Sequence, residues 1–285
     1  MKVFLTGASG YIGRHVALEL LSRGHEVIGL ARQASIRTEY SKEVVWCYSD
    51  LKDFDQYWTM LESSDAVVHC AMDYSSSGSE NSDLDAAFVS SMRTFRGHFI
   101  YTGNLFSERQ GADLQMEEAL QLNSTNWRFQ SETTVLESPH LRSVIRLGFV
   151  YGSTGGYFWE ILSPGTVAHL ERASIPKVNW PMVHVRDVAS LYASVLETAS
   201  VGVFHAYDGM IDLAPEVIET ARSIYEAHGI SSPESRPYVQ SLLQASVLTS
   251  NRRSLSIGWF PAYPSFAGAA EESFAEFMSQ PTLPS

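Results

Sequence analysis

Apolar and polar positions change their spacing several times along the chain, and each change marks an element. Val3-Phe4-Leu5 is a short β-favouring run that drops into Gly7-x-x-Gly10-x-x-Gly13. Ile12, Val16, Leu20 and Leu21 then recur at helical spacing, with Gly24 as the stop. This opening predicts a strand, a glycine turn and an amphipathic helix. Further strands are expected at 26–30, 44–48, 66–71, 98–102, 141–151 and 202–207. Helical patterns span Phe54 to Leu61, Leu84 to Met92, Trp127 to Glu137 and Ser265 to Met278, and another starts at Leu213. The polar stretch 73–83 predicts a loop.

The glycine spacing carries chemistry. Gly7 permits a tight turn, Gly10 lets the backbone approach a pyrophosphate, and Gly13 lets the helix pack closely. The first N–H groups of the helix and its dipole favour phosphate charge. Gly7, Ser9, Gly10, Tyr11, Ile12 and Gly13 are therefore candidate dinucleotide contacts. Arg32 follows the second strand, where NAD binders commonly place an acid to bond the ribose 2′-hydroxyl. An arginine suits a 2′-phosphate, which predicts NADP in preference to NAD.

Composition narrows the partners. Acidic residues outnumber basic ones, 32 to 20, for a net charge of −12. There is no Lys/Arg-rich block, so a nucleic acid is not expected. Cys47 and Cys70 lie in apolar runs without metal-ligand spacing, so no metal site is predicted and two reduced thiols are. No apolar run approaches the length of a membrane span. The expectation is a cytoplasmic protein, monomer or homodimer, acting on a small molecule.

The Gly-x-x-Gly-x-x-Gly turn, preceded by Thr6, resembles that of the short-chain dehydrogenase/reductase superfamily. The likeness is to its extended and atypical branch, the epimerase/dehydratase-like proteins. Other stretches extend the resemblance. Ser49-Asp50-Leu51 is similar to the segment that contacts adenine, which implicates Asp50 and Leu51. The run ending at Ala71 resembles the fourth strand, against the nicotinamide ribose. His98–Thr102 is similar to the strand leading to the catalytic serine or threonine, which makes Thr102 and Asn104 candidates. Arg146-Leu147-Gly148-Phe149-Val150-Tyr151-Gly152 resembles the segment passing under the nicotinamide, with Leu147 in place of a proline. Val183–Ala189 and Ser250–Pro261 resemble later landmarks. The resemblance implies a doubly wound parallel α/β sheet of the Rossmann type with a small C-terminal substrate lobe. Residues 1–148 would form the dinucleotide domain, rejoined at about 184–208, and 149–183 with 209–285 the lobe.

The resemblance breaks at the catalytic helix. The superfamily places a tyrosine and a lysine at i and i+4, so that both leave one helix face. This chain has four lysines, and its only Tyr-x-x-x-Lys, Tyr48 to Lys52, falls on the adenine side. In the matching helix Arg128 stands for the tyrosine and Glu132 for the lysine, a pair that could meet on the helix surface. Tyr151 is a further candidate proton donor. Asp187 reads as a helix N-cap or an ion-pair partner. Phe149, Tyr157, Trp159 and Trp180 would line an apolar substrate pocket. The function expected is NADP(H)-dependent reduction of a small, largely apolar carbonyl compound with a non-standard proton donor. A redox-neutral isomerase, epimerase or cyclase and a non-enzymatic NADP(H) sensor are the alternatives.

Overall fold

A computed structural model describes residues 1–32, 42–72, 78–105, 114–115, 127–154, 156, 158–167, 177–231 and 247–279. Strands β1 (Lys2–Thr6), β2 (Glu26–Ala31), β3 (Val45–Tyr48), β4 (Ala66–His69), β5 (His98–Asn104), β7 (Arg142–Leu147) and β11 (Gly202–Ala206) form one parallel sheet. Its order is β11-β7-β5-β4-β1-β2-β3. The winding reverses between β1 and β4, and ligands in such sheets sit outside the carboxyl ends of the strands at that switch point.

Both faces of the sheet are covered, which is why its strands read as nearly continuous apolar runs. Helices α1 (Tyr11–Ser22) and α6 (Val185–Glu197) share one core with Val3, Leu5, Ile100 and Ile145. On the other face Phe4, Ile28, Phe99 and Tyr101 pack with residues of α2 (Phe54–Glu62), α3 (Gly78–Ser91) and α4 (Trp127–Leu136). A third core gathers Phe149, Tyr151, Phe158, Trp159, Trp180 and Met182 with α7 (Ala214–Ala227) and α9 (Phe266–Met278). It contains β8 (Phe149–Tyr151), β9 (Asn179–Trp180), β10 (Met182–His184) and helix α5 (Phe158–Ile161); β8 pairs with β10, and β9 with β12 (Asp212–Leu213). The remaining pieces are β6 (Leu114–Gln115), which pairs with β13 (Leu248–Thr249), and α8 (Arg252–Ser256).

Two expectations need correction. The helix predicted from Leu84 begins at Gly78 and has 14 residues, so no loop reaches 83. Its buried stripe is Asn81, Asp85, Phe88 and Val89, continued by Met92 just beyond its end. Two of those positions are polar, which hides the helical period from a hydrophobicity pattern. Asp187 is not the cap, and among the described residues it has no ion-pair partner. His184 caps α6 by accepting from the Arg186 amide, while the Asp187 carboxylate accepts from the amides of Ala262 (2.7 Å) and Tyr263 (2.9 Å). It pins the segment leading into α9 to the sheet domain. Among the described residues no helix is long and apolar enough to cross a membrane.

Candidate functional site

The turn after β1 adopts its shape because only glycine fits. Gly7 has φ +69°, and a Cβ there would lie 2.7 Å from the carbonyl of Cys70. A Cβ on Gly13 would lie 2.1 Å from the Gly7 carbonyl oxygen, so the first turn of α1 rests on the bend itself. Gly10 differs, since its Cβ would meet only that same oxygen, at 3.1 Å. Gly10 is also the N-cap of α1, with no side-chain cap and no acid in the first turn. The helix thus presents uncapped N–H groups and the positive end of its dipole, the requirements of an anion site.

A groove of 370 Å³ opens there, between the glycine turn and the ends of β2, β3 and β4. Gly7, Ser9, Gly10, Tyr11, Ile12, Gly13, Arg32, Asp50, Leu51 and Ala71 all line it. It is also lined by Leu30, Ala31, Ser49, Cys70, Met72 and Leu84, which sequence reasoning did not single out. Ala31, Ser49, Cys70 and Met72 each adjoin a residue that it did. Leu30 and Leu84 had no signal, because one reads as part of an apolar strand and the other sits on a helix whose start was misread.

Thr102 and Leu147 are not part of that groove. The Thr102 hydroxyl donates to the His69 carbonyl (2.6 Å) and therefore accepts from Tyr192 of α6 (2.6 Å). Asn104 ends β5 as the register partner of Leu147, so both stand at the carboxyl edge of the sheet. Tyr151 is fully buried and donates to the Ser265 carbonyl, and burial raises its phenol far above the ordinary range. Phe149 stacks on Trp180 with centroids 5.3 Å apart, and the Trp159 indole N–H donates to Ser273 Oγ (2.9 Å). All three rings belong to the lobe's core. Tyr157 lies outside the described residues.

The α4 helix is arranged differently from the surface pair expected of Arg128 and Glu132. Glu132 is 1% exposed, and its carboxylate accepts from Arg146 Nε of β7 at 2.8 Å. Gly103 makes room for it, because a Cβ there would lie 2.2 Å from Glu132 Oε1. The sequence suggested a surface contact because Arg128 and Glu132 are spaced as helix neighbours; the nearby strand supplies a buried partner that spacing within the helix cannot reveal. Arg128 instead extends over the Trp127 ring (4.5 Å) and donates to the sulfur of Met72, a groove residue.

Against the first turn of α1 lies the segment following β8. Tyr11 Oη donates to the Gly152 carbonyl (2.6 Å), and Arg14 donates to Thr154 Oγ1 (3.1 Å). On its far side the Ser153 amide donates to Glu276 of α9 (2.7 Å), which also takes Arg186. The lobe is thereby tied to the first turn of α1.

A parallel sheet wound this way, with a glycine turn opening onto a groove at its switch point, defines a dinucleotide-fold protein of the extended short-chain dehydrogenase/reductase type. The model of the NAD dependent epimerase/dehydratase family matches residues 3–95. The "uncharacterized protein YLL056C" of Saccharomyces cerevisiae is 30% identical over 222 residues, 72% of this chain and 74% of that protein. Among solved structures, the Thermus thermophilus UDP-glucose 4-epimerase in complex with NAD matches with a TM-score of 0.74 at 20% identity, over 99% of this chain and 100% of that one. The dTDP-glucose 4,6-dehydratase of Bacillus anthracis, also in complex with NAD, gives 0.75 at 14% identity over 98% and 97%. The chain belongs to the NAD dependent epimerase/dehydratase family.

Proposed function

We propose that this chain is an NADP(H)-dependent reductase of a small, largely apolar carbonyl compound. The observation that carries the cofactor half is the groove: one cavity joins an uncapped helix N-terminus to Arg32 at the end of β2. The residues present fit a dinucleotide. The open side of Gly10 leaves room for a pyrophosphate, and the Arg32 guanidinium offers a fork to a 2′-phosphate. Bound there, the nicotinamide would supply a hydride. Asp50 and Leu51 would hold the adenine, while Ala71, Thr102 and Leu147 would stand on the nicotinamide side.

The direction of reaction follows from α4. Deprotonating an alcohol needs a base, which the superfamily makes by lowering a tyrosine pKa with a neighbouring lysine. Here the lysine position holds Glu132, committed to Arg146. The carboxylate is thus neutralised and faces the sheet, so it does not act as a base toward substrate. Reduction is less demanding, since a carbonyl polarised by Arg128 and Asn104 can take its proton from water. A second reading, a redox-neutral epimerase, is favoured by the likeness to a UDP-glucose 4-epimerase over the full length. Residues 149–183 and 209–285 would be the substrate lobe in either case.

Titration with NADPH and NADH tests the cofactor. NADPH should bind more tightly, and Arg32→Ala should weaken it about 10- to 100-fold while changing NADH by less than threefold, the loss of one charge-assisted contact. Equal affinities in the parent would overturn the assignment. NADPH deuterated at C4, incubated with a panel of aldehydes and ketones, tests the chemistry. Deuterium in product with cofactor consumed supports reduction; product without net consumption supports the epimerase reading.

A further inference from the structure

Beneath the groove lies a buried polar chain that neither the family pattern nor the proposed reaction uses. The Ala71 amide donates to Thr6 Oγ1 (3.2 Å), and Thr6 Oγ1 lies 2.8 Å from His69 Nδ1. His69 Nε2 is 3.3 Å from Asp85 Oδ1, while Tyr101 Oη (3.0 Å) and Ser131 Oγ (2.5 Å) both reach Asp85 Oδ2. Thr6, His69, Asp85, Tyr101 and Ser131 are all at least nine-tenths buried.

The donors and acceptors fix the direction of every bond. An amide can only donate, so Thr6 Oγ1 accepts from Ala71. The Asp85 carboxylate accepts from His69 Nε2–H, and in the neutral imidazole Nδ1 then accepts from the Thr6 hydroxyl. Tyr101 and Ser131 donate to the other carboxylate oxygen. Every bond thus runs toward Asp85. Burial alone would raise the Asp85 pKa, but the His69, Ser131 and Tyr101 contacts outweigh it and hold it below the usual range. A carboxylate with three donors is an anchor.

One arm of this anchor ends on the lining of the groove and the other on α4. Through His69 and Thr6 one arm fixes the exit of β4 at Ala71, which itself packs against Gly7. Through Ser131 the other arm fixes α4, three residues from Arg128, which reaches Met72 on the same exit. We propose that Asp85 is a positioning residue that couples the dinucleotide groove to α4 and sets where Arg128 stands. The link is made by a carboxylate on α3, from behind the helix. The inference rests on the dinucleotide reading of the groove.

The test separates the two arms. NADPH affinity is read by fluorescence titration, and hydrogen exchange of the NADPH-bound protein reports on 127–136 and 69–72. Thr6→Val removes only the first arm. It should weaken NADPH about tenfold, the loss of one or two buried hydrogen bonds, and leave α4 protected. Ser131→Ala removes only the second arm. It should speed exchange in 127–136 about tenfold with NADPH affinity within twofold. Asp85→Asn should do both, and Thr6→Ser should restore the first arm's affinity. Asp85 being a general stability contact predicts something else, faster exchange throughout and no division between the single variants. That result, or parental behaviour of all three disrupting variants, would overturn the proposal. If Asp85→Asn does not fold, the two single variants decide alone. Failure of the parent to bind NADPH would overturn the dinucleotide reading instead.

Discussion

The glycine turn and helix α4 make an instructive pair, because the same family pattern predicts both and only one follows it. The turn obeys backbone sterics. Gly7 and Gly13 are each surrounded by main-chain atoms closer than 3 Å to where a Cβ would be, so any chain making this turn must carry glycine there. Nothing of the kind constrains α4. A helix needs only its buried face, and the residues at the lysine and tyrosine positions can change if a partner elsewhere absorbs the change. Glu132 found Arg146, and Gly103 supplied the space. Groups held by the backbone are fixed by sterics, whereas groups held by side chains can be exchanged in pairs.

The largest way to break this comparison is at Gly10. Its Cβ would meet one oxygen at 3.1 Å, so Gly10→Val should fold with a melting temperature within about 4 °C of the parent. The side chain would occupy the pyrophosphate's approach, and NADPH affinity should fall at least ~100-fold. A valine variant that still binds NADPH would show that the cradle is not where the phosphates lie.

The next test exchanges a side chain on α4. Glu132→Lys restores the superfamily residue but sets a second cation against Arg146, with both side chains at most 1% exposed. Losing the buried counter-charge should destabilise the fold by about 3–5 kcal/mol, measured as a lower urea midpoint at unchanged slope. Stability equal to the parent would mean that the pair with Arg146 matters little and that α4 is free to accept a lysine.

How much of this could be read in advance follows the same division. The glycine turn, the parallel sheet that the resemblance implied and ten groove residues were legible because each depends on local sequence. Glu132, Asp85 and Asp187 were not, because their roles are set by partners distant in the chain: Arg146 on β7, His69 on β4, and the amides of Ala262 and Tyr263. Asp85 was doubly hidden, since a buried acid breaks the apolar stripe that would have announced its helix. Phe149, Trp159 and Trp180 show the converse: aromatic residues signalled burial, but whether against substrate or each other is a tertiary fact.

A smaller effect is expected at the lobe-side edge of the sheet, where Asp208 is 5% exposed. Its Oδ1 accepts from the Met210 amide (2.9 Å), and burial, assisted by Asp212 and Asp187, pushes its pKa up from 3.8 to about 8. The sign follows from linkage. The folded state binds this proton more tightly than the unfolded chain, so the stabilisation is complete below pH 3.8 and is lost as pH rises through about 8. Asp208→Asn keeps the acceptor for Met210 and has no proton to lose. The variant should gain on the parent between pH 4.5 and 8.5, reaching at least ~1 kcal/mol, or about 2 °C in melting temperature. A constant difference across that range would show that Asp208 titrates normally.

The smallest effect is expected at Tyr48, and its smallness carries information. Tyr48 and Lys52 form the chain's only Tyr-x-x-x-Lys. That spacing brings two side chains to one face only on a helix. Here Tyr48 ends β3, an edge strand of the sheet, and Lys52 lies in the turn beyond it, before α2 begins at Phe54. Tyr48 is 54% exposed, so no enclosed site surrounds its phenol. Ser49, Asp50 and Leu51, between the two, line the groove where adenine would lie, at the opposite end of the dinucleotide from the nicotinamide. Tyr48→Phe should therefore leave turnover of any carbonyl substrate within about threefold, under ~1 kcal/mol in barrier. The same variant should leave the melting temperature unchanged, because among the described residues the exposed hydroxyl bonds to nothing. A loss of a thousandfold would reverse the comparison: the proton donor would then lie at the adenine end, and the cofactor would have to bind in the opposite sense, with its nicotinamide over β3.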